Sequence, residues 1–196
     1  FVQGPSKKSL HPHFPRYASR MKLADRLSIV LPAKNEAEGL RQVLPALRRD
    51  FPLAELIVVD DGSTDDTATI AGAAGARVLS APYGMGNGAA IKRGARAATG
   101  EILVFMDADG QHGAQHIRAL LEKLAEGYDM VVGARDRSGQ ANLHRGLANA
   151  FYNRLASWMT GHHVMDLTSG FRAVRADKFR EFLHLLPNGF SYPTTS

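Results

Sequence analysis

The sequence predicts an α/β fold in which a mainly parallel sheet is covered by helices on both faces. Two observations predict it. Short apolar runs of strand length, such as Ile102–Met106, alternate along the chain with amphipathic or alanine-rich helical segments. These runs are apolar at consecutive positions, as expected for strands that are buried on both faces. In such sheets a ligand lies at the carboxyl ends of the strands.

Five strands are predicted, most of them apolar runs bounded by polar or turn residues. In chain order they are Leu27–Leu31, Leu56–Val59, Arg77–Ser80, Ile102–Met106 and Asp129–Val132. Pro32 stops the first strand. The second strand ends at Asp60-Asp61 and the fourth runs into Asp107-Ala108-Asp109. The pattern therefore predicts that four carboxylates gather at one edge of the sheet.

Four helices connect these strands. They are predicted over Glu36–Arg49, over Thr67–Ala74, from the glycine-rich turn Gly84–Gly88 to Gly100, and over Gln115–Glu126. Leucines at helical spacing indicate the first helix, although Pro45 lies inside it. Thr64 or Asp65 caps the second helix.

The charge of the chain is concentrated in its first residues. The 196 residues have a net charge of +5, and residues 1–26 hold six basic residues and one acidic residue, whereas the remainder holds 18 of each. We interpret 1–26 as a basic flexible arm or leader, which could also dock on an anionic surface. The neutral remainder argues against a nucleic-acid-binding protein. Because the chain has no cysteine, disulfides and thiolate metal sites are excluded.

Asp107-Ala108-Asp109 places two carboxylates one residue apart, directly after a buried strand. Side chains two residues apart in an extended segment point to the same side, and two like charges there favour a cation between them. Such oxygen ligands suit Mg²⁺ or Mn²⁺, which commonly also bind substrate phosphate. The alternative is a solvated acidic turn or helix cap. Asp60-Asp61, at the end of a second strand, favours the metal and nucleotide site.

Two acidic blocks, Val58–Thr67 and Asp107–His112, resemble family-two glycosyltransferases of the GT-A fold in content, order and separation. Leu31–Glu36 resembles the opening strand and turn of that family. Asp166–Arg172, with the sequence Asp-Leu-Thr-Ser-Gly-Phe-Arg, is similar to its dolichyl- and polyprenyl-phosphate sugar transferase branch. The resemblance runs from about Leu27 to Arg175 and implies a GT-A-like fold with a Rossmann-like nucleotide-binding half.

The resemblance implies a role for each matching residue at the donor site. The nucleotide-sugar contacts are Pro32, Glu36, Val59, Asp61, Asp107, Ala108 and Gln111, and the ligands of Mg²⁺ or Mn²⁺ are Asp107, Asp109 and Gln111. Among them, Pro32, Glu36 and Asp61 line the pocket of the base and ribose. Asp107 contacts the ribose or the ion, and Asp109 contacts the ion and diphosphate.

The glycine-rich turn departs from the family pattern. Relatives often have a lysine near the donor in this stretch, where this chain has Asn87 and Gly88. Lys92 and Arg93, a few residues further on, are candidate substitutes for that lysine.

An acceptor site is implied in the second half of the chain. Arg135 and Arg145 match lipid-phosphate contacts of the polyprenyl branch. From Arg135 to Arg180 the chain has eight basic residues against three acidic ones, which suits an anionic acceptor because guanidinium groups bind phosphate through paired hydrogen bonds. The alternative is a solvated basic surface. One helical face either packs in the core or lies at a membrane interface: Leu147, Phe151, Leu155, Trp158 and Met159.

Together these features predict an inverting, divalent-metal-dependent glycosyltransferase that moves a sugar from a GDP- or UDP-sugar to a polyprenyl or dolichyl phosphate. Its catalytic candidates are Asp107, Asp109, Arg135, Arg145 and Asp166. A hydroxyl acceptor needs a general base, and residues 189–196, where many relatives carry an acid, have none. A phosphate acceptor is already ionised and is therefore favoured.

Two alternatives stay open. One is a transferase that acts on a saccharide or small-molecule hydroxyl, with Asp166 as the base. The other is a nucleotide-sugar-binding module without turnover. In the favoured interpretation, residues 27–196 form the catalytic domain, with the acceptor part truncated at the C-terminus. We expect a cytoplasmic protein, peripheral at the inner face of the membrane, that binds a lipid phosphate and the membrane surface but no nucleic acid.

Overall fold

The protein was analysed as a computed structural model that describes residues 26–110, 112–133 and 169–189. The strands are β1 (Leu27–Ala33), β2 (Glu55–Asp60), β3 (Arg77–Ser80), β4 (Ile102–Phe105), β5 (Met130–Val132) and β6 (Arg172–Arg175). The helices are α1 (Ala37–Asp50), α2 (Thr67–Ala73), α3 (Asn87–Ala97), α4 (Ala114–Leu124) and α5 (Ala176–Phe182). All predicted strands and helices within these ranges are confirmed, with ends that differ by a few residues.

The strands form one sheet in the order β3-β2-β1-β4-β6-β5. Strands β1 to β4 pair in parallel, whereas β6 pairs antiparallel with both β4 and β5. Only β6 therefore runs against the others, which confirms the predicted mainly parallel sheet. We call the edge at which β1 to β5 end the carboxyl rim, and the opposite edge the amino rim.

Helices pack on both faces of this sheet, as predicted. In β2, Leu56 and Val58 belong to one buried cluster, and Ile57 and Val59 belong to the other. The first cluster also holds apolar residues of α1, α2 and α4, and the second holds those of α3 and α5. Burial on both faces explains why the strands are apolar at consecutive positions.

Strand β1 continues through Pro32, and the prediction that Pro32 stops it is wrong. The Val30 carbonyl accepts a hydrogen bond from the Met106 N–H (3.2 Å), and the Ala33 carbonyl accepts one from the Asp61 N–H (2.9 Å). The backbone N–H and C=O groups of successive strand residues point to opposite neighbouring strands. The backbone nitrogen of Pro32 therefore points towards β4. The pairing of β1 with β4 ends at Val30, so the missing proline N–H costs no hydrogen bond of the ladder.

Strand β6 and helix α5 were not predicted from the sequence. Strand β6 has an arginine at each end, so its sequence lacks the apolar run that predicts a buried strand. It is nevertheless buried between β4 and β5, and Arg172 Nη2 donates to the Ser169 carbonyl (2.6 Å). At the amino rim, the Ala176 N–H donates to the Glu101 carbonyl (2.8 Å). Helix α5 begins there and leads back towards the carboxyl rim.

Some predictions concern residues outside the described ranges. They include residues 1–25 of the arm predicted over 1–26, and the apolar face from Leu147 to Met159. Among the helices that the structure does describe, none combines the length and the apolar content of a membrane-spanning segment.

Candidate functional site

The loops that follow β1 and β2 lie side by side at the carboxyl rim and are joined by hydrogen bonds. The Asn35 N–H donates to Ser63 Oγ (2.9 Å), and the Thr64 N–H donates to Asn35 Oδ1 (2.8 Å). Asn35 adopts the left-handed backbone region at φ 57°, which asparagine tolerates better than most residues. Asn35 thus fixes the loop that carries Glu36 against the loop after β2.

Asp65 joins the same two loops at the beginnings of two helices. Its carboxylate accepts hydrogen bonds from the Thr67 N–H (3.0 Å), from the Thr67 hydroxyl and from the Ala37 N–H (3.2 Å). These bonds, chiefly the one from the hydroxyl, outweigh desolvation and hold the pKa of Asp65 below its usual value. The Glu36 N–H donates in turn to Thr67 Oγ1 (2.9 Å). The N-cap residue of α2 is Asp66, one residue after the predicted Thr64 or Asp65, and its side chain makes no capping hydrogen bond. Asp65 instead accepts hydrogen bonds from the first helical N–H of both α1 and α2.

Asp60 and Asp61, at the end of β2, are buried and bind backbone N–H groups. Asp60 Oδ1 accepts from the Ser63 N–H (2.9 Å). Asp61 Oδ1 accepts from the Met85 N–H (2.7 Å), and its Oδ2 accepts from the Gly86 N–H (3.0 Å). Asp61 therefore holds the glycine-rich turn against β2. Each carboxylate oxygen can accept a second hydrogen bond, so these contacts are compatible with the predicted nucleotide contact of Asp61.

The glycine-rich turn Gly84–Gly88 is also held from its other side. The Gly88 N–H donates to the Gly189 carbonyl (3.2 Å), and the Ala89 N–H donates to the Asn188 carbonyl (3.0 Å). With the two N–H groups that Asp61 binds, four backbone donors around the turn have acceptors in the protein. The turn therefore differs from phosphate-binding loops, in which free N–H groups surround the anion.

Lys92 and Arg93, the candidate substitutes for a donor-site lysine, bind carbonyl groups of the protein. Lys92 Nζ donates to the Leu186 carbonyl (3.0 Å) and to the side-chain oxygen of Asn188. Arg93 Nη2 donates to the Ser80 carbonyl (2.9 Å). Both side chains link α3 to neighbouring segments through these hydrogen bonds. Because their charged groups already bind protein oxygens, neither is favoured as a contact of the donor.

An acidic cluster forms where the loops after β1 and β4 approach each other. Asp107 and Asp109 follow β4 at the carboxyl rim and are exposed. The pKa of Glu36 is raised above its usual value by partial burial first, and then by repulsion from Asp109, Asp107 and Asp65. The carboxylates of Asp65, Asp107 and Asp109 are therefore close enough to Glu36 to interact with it electrostatically. The structure therefore brings together predicted site residues from two separate loops.

Gly39, in the first turn of α1, permits this approach. A Cβ at this position would lie 2.2 Å from the Ala108 carbonyl oxygen and 3.4 Å from Asp109 Cα. Both are backbone atoms, so a side chain at residue 39 would have to displace the Ala108-Asp109 segment. Gly39 therefore sets where Asp109 lies relative to Glu36.

The oxygen donors of this cluster fit a hard divalent cation. Asp107 and Asp109 supply carboxylates, and their repulsion, which adds to burial in raising the pKa of Glu36, favours a cation. Gln111, the third predicted ligand, lies outside the described residues. In the described ranges, no three carboxylate or imidazole side chains converge closely enough to enclose an ion. Two carboxylates leave positions for water and substrate oxygens, as is common for Mg²⁺.

The other predicted site residues lie at the carboxyl rim, in the core of the sheet or outside the described ranges. Pro32 and Ala108 lie at the carboxyl rim, at the ends of β1 and β4. Val59 is fully buried within β2, and its side chain packs against Gly94 of α3, so the structure does not favour it as a direct contact of a ligand. The predicted acceptor and base residues lie outside the described ranges, and their roles stay predictions: Arg135, Arg145 and Asp166.

Sequence reasoning missed two residues that build the site, Asn35 and Gly39. Gly39 carries a signal, because glycine inside a helix is unfavourable unless another group approaches closely. Asn35 carries a weaker one, since asparagine is among the few residues that adopt left-handed backbone readily. In both cases the partner lies far along the chain, which the local pattern does not reveal.

A parallel sheet with acidic loops at its carboxyl rim is the arrangement of a nucleotide-binding α/β enzyme domain. A family model described as glycosyl transferase family 2 matches residues 28–183, and the chain belongs to that family. This membership confirms the resemblance that the acidic blocks carry.

Similar proteins include a glycosyltransferase without an acceptor in its name and one that is named for a lipid phosphate. The chain is 32% identical over 178 residues to glycosyltransferase AglJ of Haloferax volcanii, covering 89% of this chain and 58% of that protein. It is 33% identical over 162 residues to the dolichyl-phosphate hexose transferase of the same organism, covering 82% of this chain and 69% of that protein. The chain spans about half the length of several other curated relatives that it matches.

A solved structure with the same fold contains a metal ion and a nucleotide sugar. It is glucosyl-3-phosphoglycerate synthase from Mycobacterium tuberculosis in complex with Mn²⁺, UDP-glucose and phosphoglyceric acid. The two chains superpose with a TM-score of 0.69 at 30% sequence identity, covering 94% of this chain and 68% of that one. The predicted GT-A-like fold is confirmed.

Proposed function

We propose that the chain is the catalytic part of an inverting, divalent-metal-dependent glycosyltransferase that moves a sugar from a nucleotide-sugar donor to a polyprenyl phosphate. The observation that carries the proposal is the acidic cluster at the carboxyl rim, where the pKa of Glu36 is raised by Asp109 and Asp107 in addition to burial. Charge crowding at the ligand-binding edge of a parallel sheet is typical of a site that binds a cation together with a phosphorylated ligand.

The metal part of the proposal concerns three residues. Asp107, Asp109 and Gln111 would hold Mg²⁺ or Mn²⁺ together with oxygens of the donor diphosphate. When bound, such an ion neutralises the negative charge that builds on the leaving nucleoside diphosphate. Support comes from the exposed carboxylates after β4 and from the Mn²⁺ in the similar synthase structure.

The nucleotide part depends on the two cross-linked loops. Pro32, Glu36 and Asp61 would line the pocket of the base and ribose, beside Val59 and Ala108. Because Asn35 and Asp65 hold these loops together, the loops are ordered before a donor arrives, which would reduce the entropy lost on binding. The UDP-glucose in the similar synthase supports a nucleotide-sugar donor, and the base of the donor for this chain is open between uracil and guanine.

The acceptor part depends on charge. A phosphate acceptor is ionised at neutral pH and attacks the anomeric carbon without a strong general base, whereas a hydroxyl acceptor needs one. The excess of basic residues from Arg135 to Arg180 suits such an anion, with Arg135 and Arg145 as its contacts. A relative named dolichyl-phosphate hexose transferase supports this acceptor class. Direct displacement by the phosphate oxygen would invert the anomeric configuration.

A second candidate is a transferase for a small phosphorylated or saccharide acceptor, with Asp166 as a general base. The similarity to a synthase that was crystallised with phosphoglyceric acid favours it. A binding module without turnover would share the same donor site but form no product.

A transfer assay on the purified chain tests these functions together. UDP- and GDP-sugars are offered with Mn²⁺ to a polyprenyl phosphate, to phosphoglyceric acid or to a simple saccharide, and product is followed by mass spectrometry. We expect glycosylated polyprenyl phosphate from one donor and only with metal. Transfer to the saccharide or phosphoglyceric acid alone would overturn the lipid acceptor, and donor binding without any product would indicate the binding module.

A lipid acceptor also requires contact with a membrane. We propose that the protein acts as a peripheral protein at the cytoplasmic face, with the basic arm of residues 1–26 among its contacts. Flotation with vesicles of phosphatidylcholine and phosphatidylglycerol tests this. Binding to the anionic vesicles that weakens with salt is expected, and protein that stays unbound at low salt would contradict it.

A further inference from the structure

The geometry points to Lys34 as a contact of the nucleotide part of the donor, where its ammonium group donates to a nucleotide oxygen. This role rests on the proposed function. Lys34 follows β1 in the loop that also carries Asn35 and Glu36, and its side chain reaches the glycine-rich turn on the side of Asp61. No motif or comparison assigns it a role.

The position of the ammonium group is defined by Gly84. A Cβ on Gly84 would lie 2.4 Å from Lys34 Nζ and 3.6 Å from Asp61 Oδ2. Gly84 is not among the glycines with positive φ, so its backbone does not require glycine. The missing side chain instead leaves the space that the ammonium group occupies, beside a carboxylate that is predicted to contact the base and ribose.

The surrounding turn keeps this position fixed. A Cβ on Gly62 would lie 2.6 Å from the Tyr83 carbonyl carbon, so the backbone before Gly84 packs directly on the loop after β2. Asp61 then binds the next two N–H groups, of Met85 and Gly86. The Lys34 side chain therefore lies against a turn whose backbone is held by packing and hydrogen bonds. A ligand at the carboxyl rim would meet the ammonium group beside Gly84 and Asp61.

Lys34 is also available, whereas the other candidates are not. Lys92 and Arg93 bind carbonyl groups of the protein, and Asn87 carries no charge. Within the described residues, the Lys34 ammonium group makes no ion pair or side-chain hydrogen bond that meets ordinary distance limits. Exposed and unengaged, it can donate all three of its hydrogen bonds to a ligand.

A positive charge at this place suits the electrostatics of the rim. Glu36, Asp61, Asp107 and Asp109 all lie at the carboxyl rim, and an ammonium group there offsets part of the repulsion that an anionic nucleotide would meet. The ion would serve the diphosphate near Asp107 and Asp109. Lys34, on the Asp61 side, would serve the end of the nucleotide that the ion does not reach.

Isothermal titration of nucleoside diphosphates into the whole chain with Mn²⁺ tests the role of Lys34. Lys34→Met removes the charge, and we expect about tenfold weaker binding, since a hydrogen bond from a charged donor is lost. Lys34→Arg keeps the charge and should restore part of the affinity. Lys123→Met is the control, because Lys123 is an exposed lysine near the end of α4 whose partner is Glu126.

Gly84→Ala gives an independent test, because it keeps the lysine but displaces its ammonium group. We expect weaker binding of similar size, with no further loss in the double variant Lys34→Met/Gly84→Ala. Melting temperatures near that of the wild type would show that folding is intact. Titration with the nucleoside alone identifies the kind of oxygen: a matching loss indicates an oxygen of the base or ribose, and a loss seen only with the diphosphate indicates a phosphate oxygen.

The outcomes separate this inference from the proposed function. If Lys34→Met binds like the wild type, or if it loses no more than Lys123→Met, the role of Lys34 is overturned while the donor site stands. If the losses of Lys34→Met and Gly84→Ala simply add, the ammonium group does not act at the turn. If the wild type binds no nucleoside diphosphate with Mn²⁺, the proposed function fails and the role of Lys34 fails with it.

Discussion

The loops at the carboxyl rim are built in two different ways. The loops after β1 and β2 are cross-linked by side-chain hydrogen bonds through Asn35 and Asp65. The loop after β4, by contrast, carries exposed Asp107 and Asp109 and is positioned by the packing of its backbone against Gly39. In the proposed function, the cross-linked loops form the nucleotide side of the site. The loop after β4 forms the ion side, where like charges are crowded.

The largest effect is expected at Asp109. Asp109→Ala removes one of two carboxylates from the ion side, and we expect transfer activity to fall at least about a hundredfold, because the charge on the leaving diphosphate is no longer neutralised. Donor binding measured by titration should no longer depend on Mn²⁺. An Asp109→Ala protein that transfers sugar at the wild-type rate would remove the basis of the comparison and of the proposed function.

Gly39 tests whether backbone packing positions the ion side. Gly39→Ala forces a Cβ against the Ala108 carbonyl oxygen, and we expect a loss of about 1–3 kcal/mol in the free energy of unfolding and weaker Mn²⁺ binding. Gly72→Ala, in α2, is the matched control. Nothing lies within 4 Å of a Cβ there, so this variant should gain about 0.5–1 kcal/mol. Equal stability of the two variants would contradict the role of Gly39.

Asn35 tests the cross-linking of the nucleotide side. Asn35→Ala loses the acceptor of the Thr64 N–H and puts alanine, which tolerates left-handed backbone less well than asparagine, at φ 57°, at a cost of about 1–2 kcal/mol in chemical denaturation. Asn35→Gly removes the backbone strain but also lacks the hydrogen bond, so it separates the two causes. We expect the KM for the donor to rise several-fold in both variants while Mn²⁺ affinity changes little. A larger change in Mn²⁺ affinity would mean that the two sides are not built independently.

Glu36 links the two sides and gives the smallest effect. Its folded pKa is raised, so between the usual pKa of a glutamate and that raised value the folded protein binds more protons than the unfolded chain. Stability without metal therefore falls as pH rises through this window. Glu36→Gln should melt about one to a few degrees higher than the wild type above the window and equally below it. Glu38→Gln is the control, since Glu38 pairs with exposed Arg41. A difference that is constant with pH would exclude titration of Glu36 as the cause.

The sequence predicts the strands and the edge at which the acids gather because both follow from local pattern. Ile102–Met106 reads as buried strand without knowledge of its neighbours, and Asp107 then necessarily lies at the end of that strand. Strand β6 was missed because its arginines are compatible with burial only through tertiary contacts, such as that between Arg172 and Ser169. Pro32 was misjudged for a related reason: its tolerance depends on where the pairing with β4 ends.

The contacts that position the site residues were harder to predict from the sequence. The contact between Gly39 and Ala108 joins residues far apart along the chain, and its tightness depends on how α1 lies over the sheet. The same holds for Lys34 and Gly84. Residue types therefore predicted the chemistry of the rim, whereas the distances that position its groups required the fold.

The hydrogen-bonded backbone around Gly84–Gly88 has a consequence for selectivity. Many nucleotide-binding proteins capture phosphate with free backbone N–H groups and are consequently also occupied by inorganic phosphate or sulfate. Here the N–H groups of Met85, Gly86, Gly88 and Ala89 already have acceptors within the chain. These four N–H groups therefore do not hold small free anions. In the proposed function, discrimination against such anions would depend on the divalent ion, on Lys34 and on the nucleoside, which together would favour an intact donor over its abundant inorganic competitors.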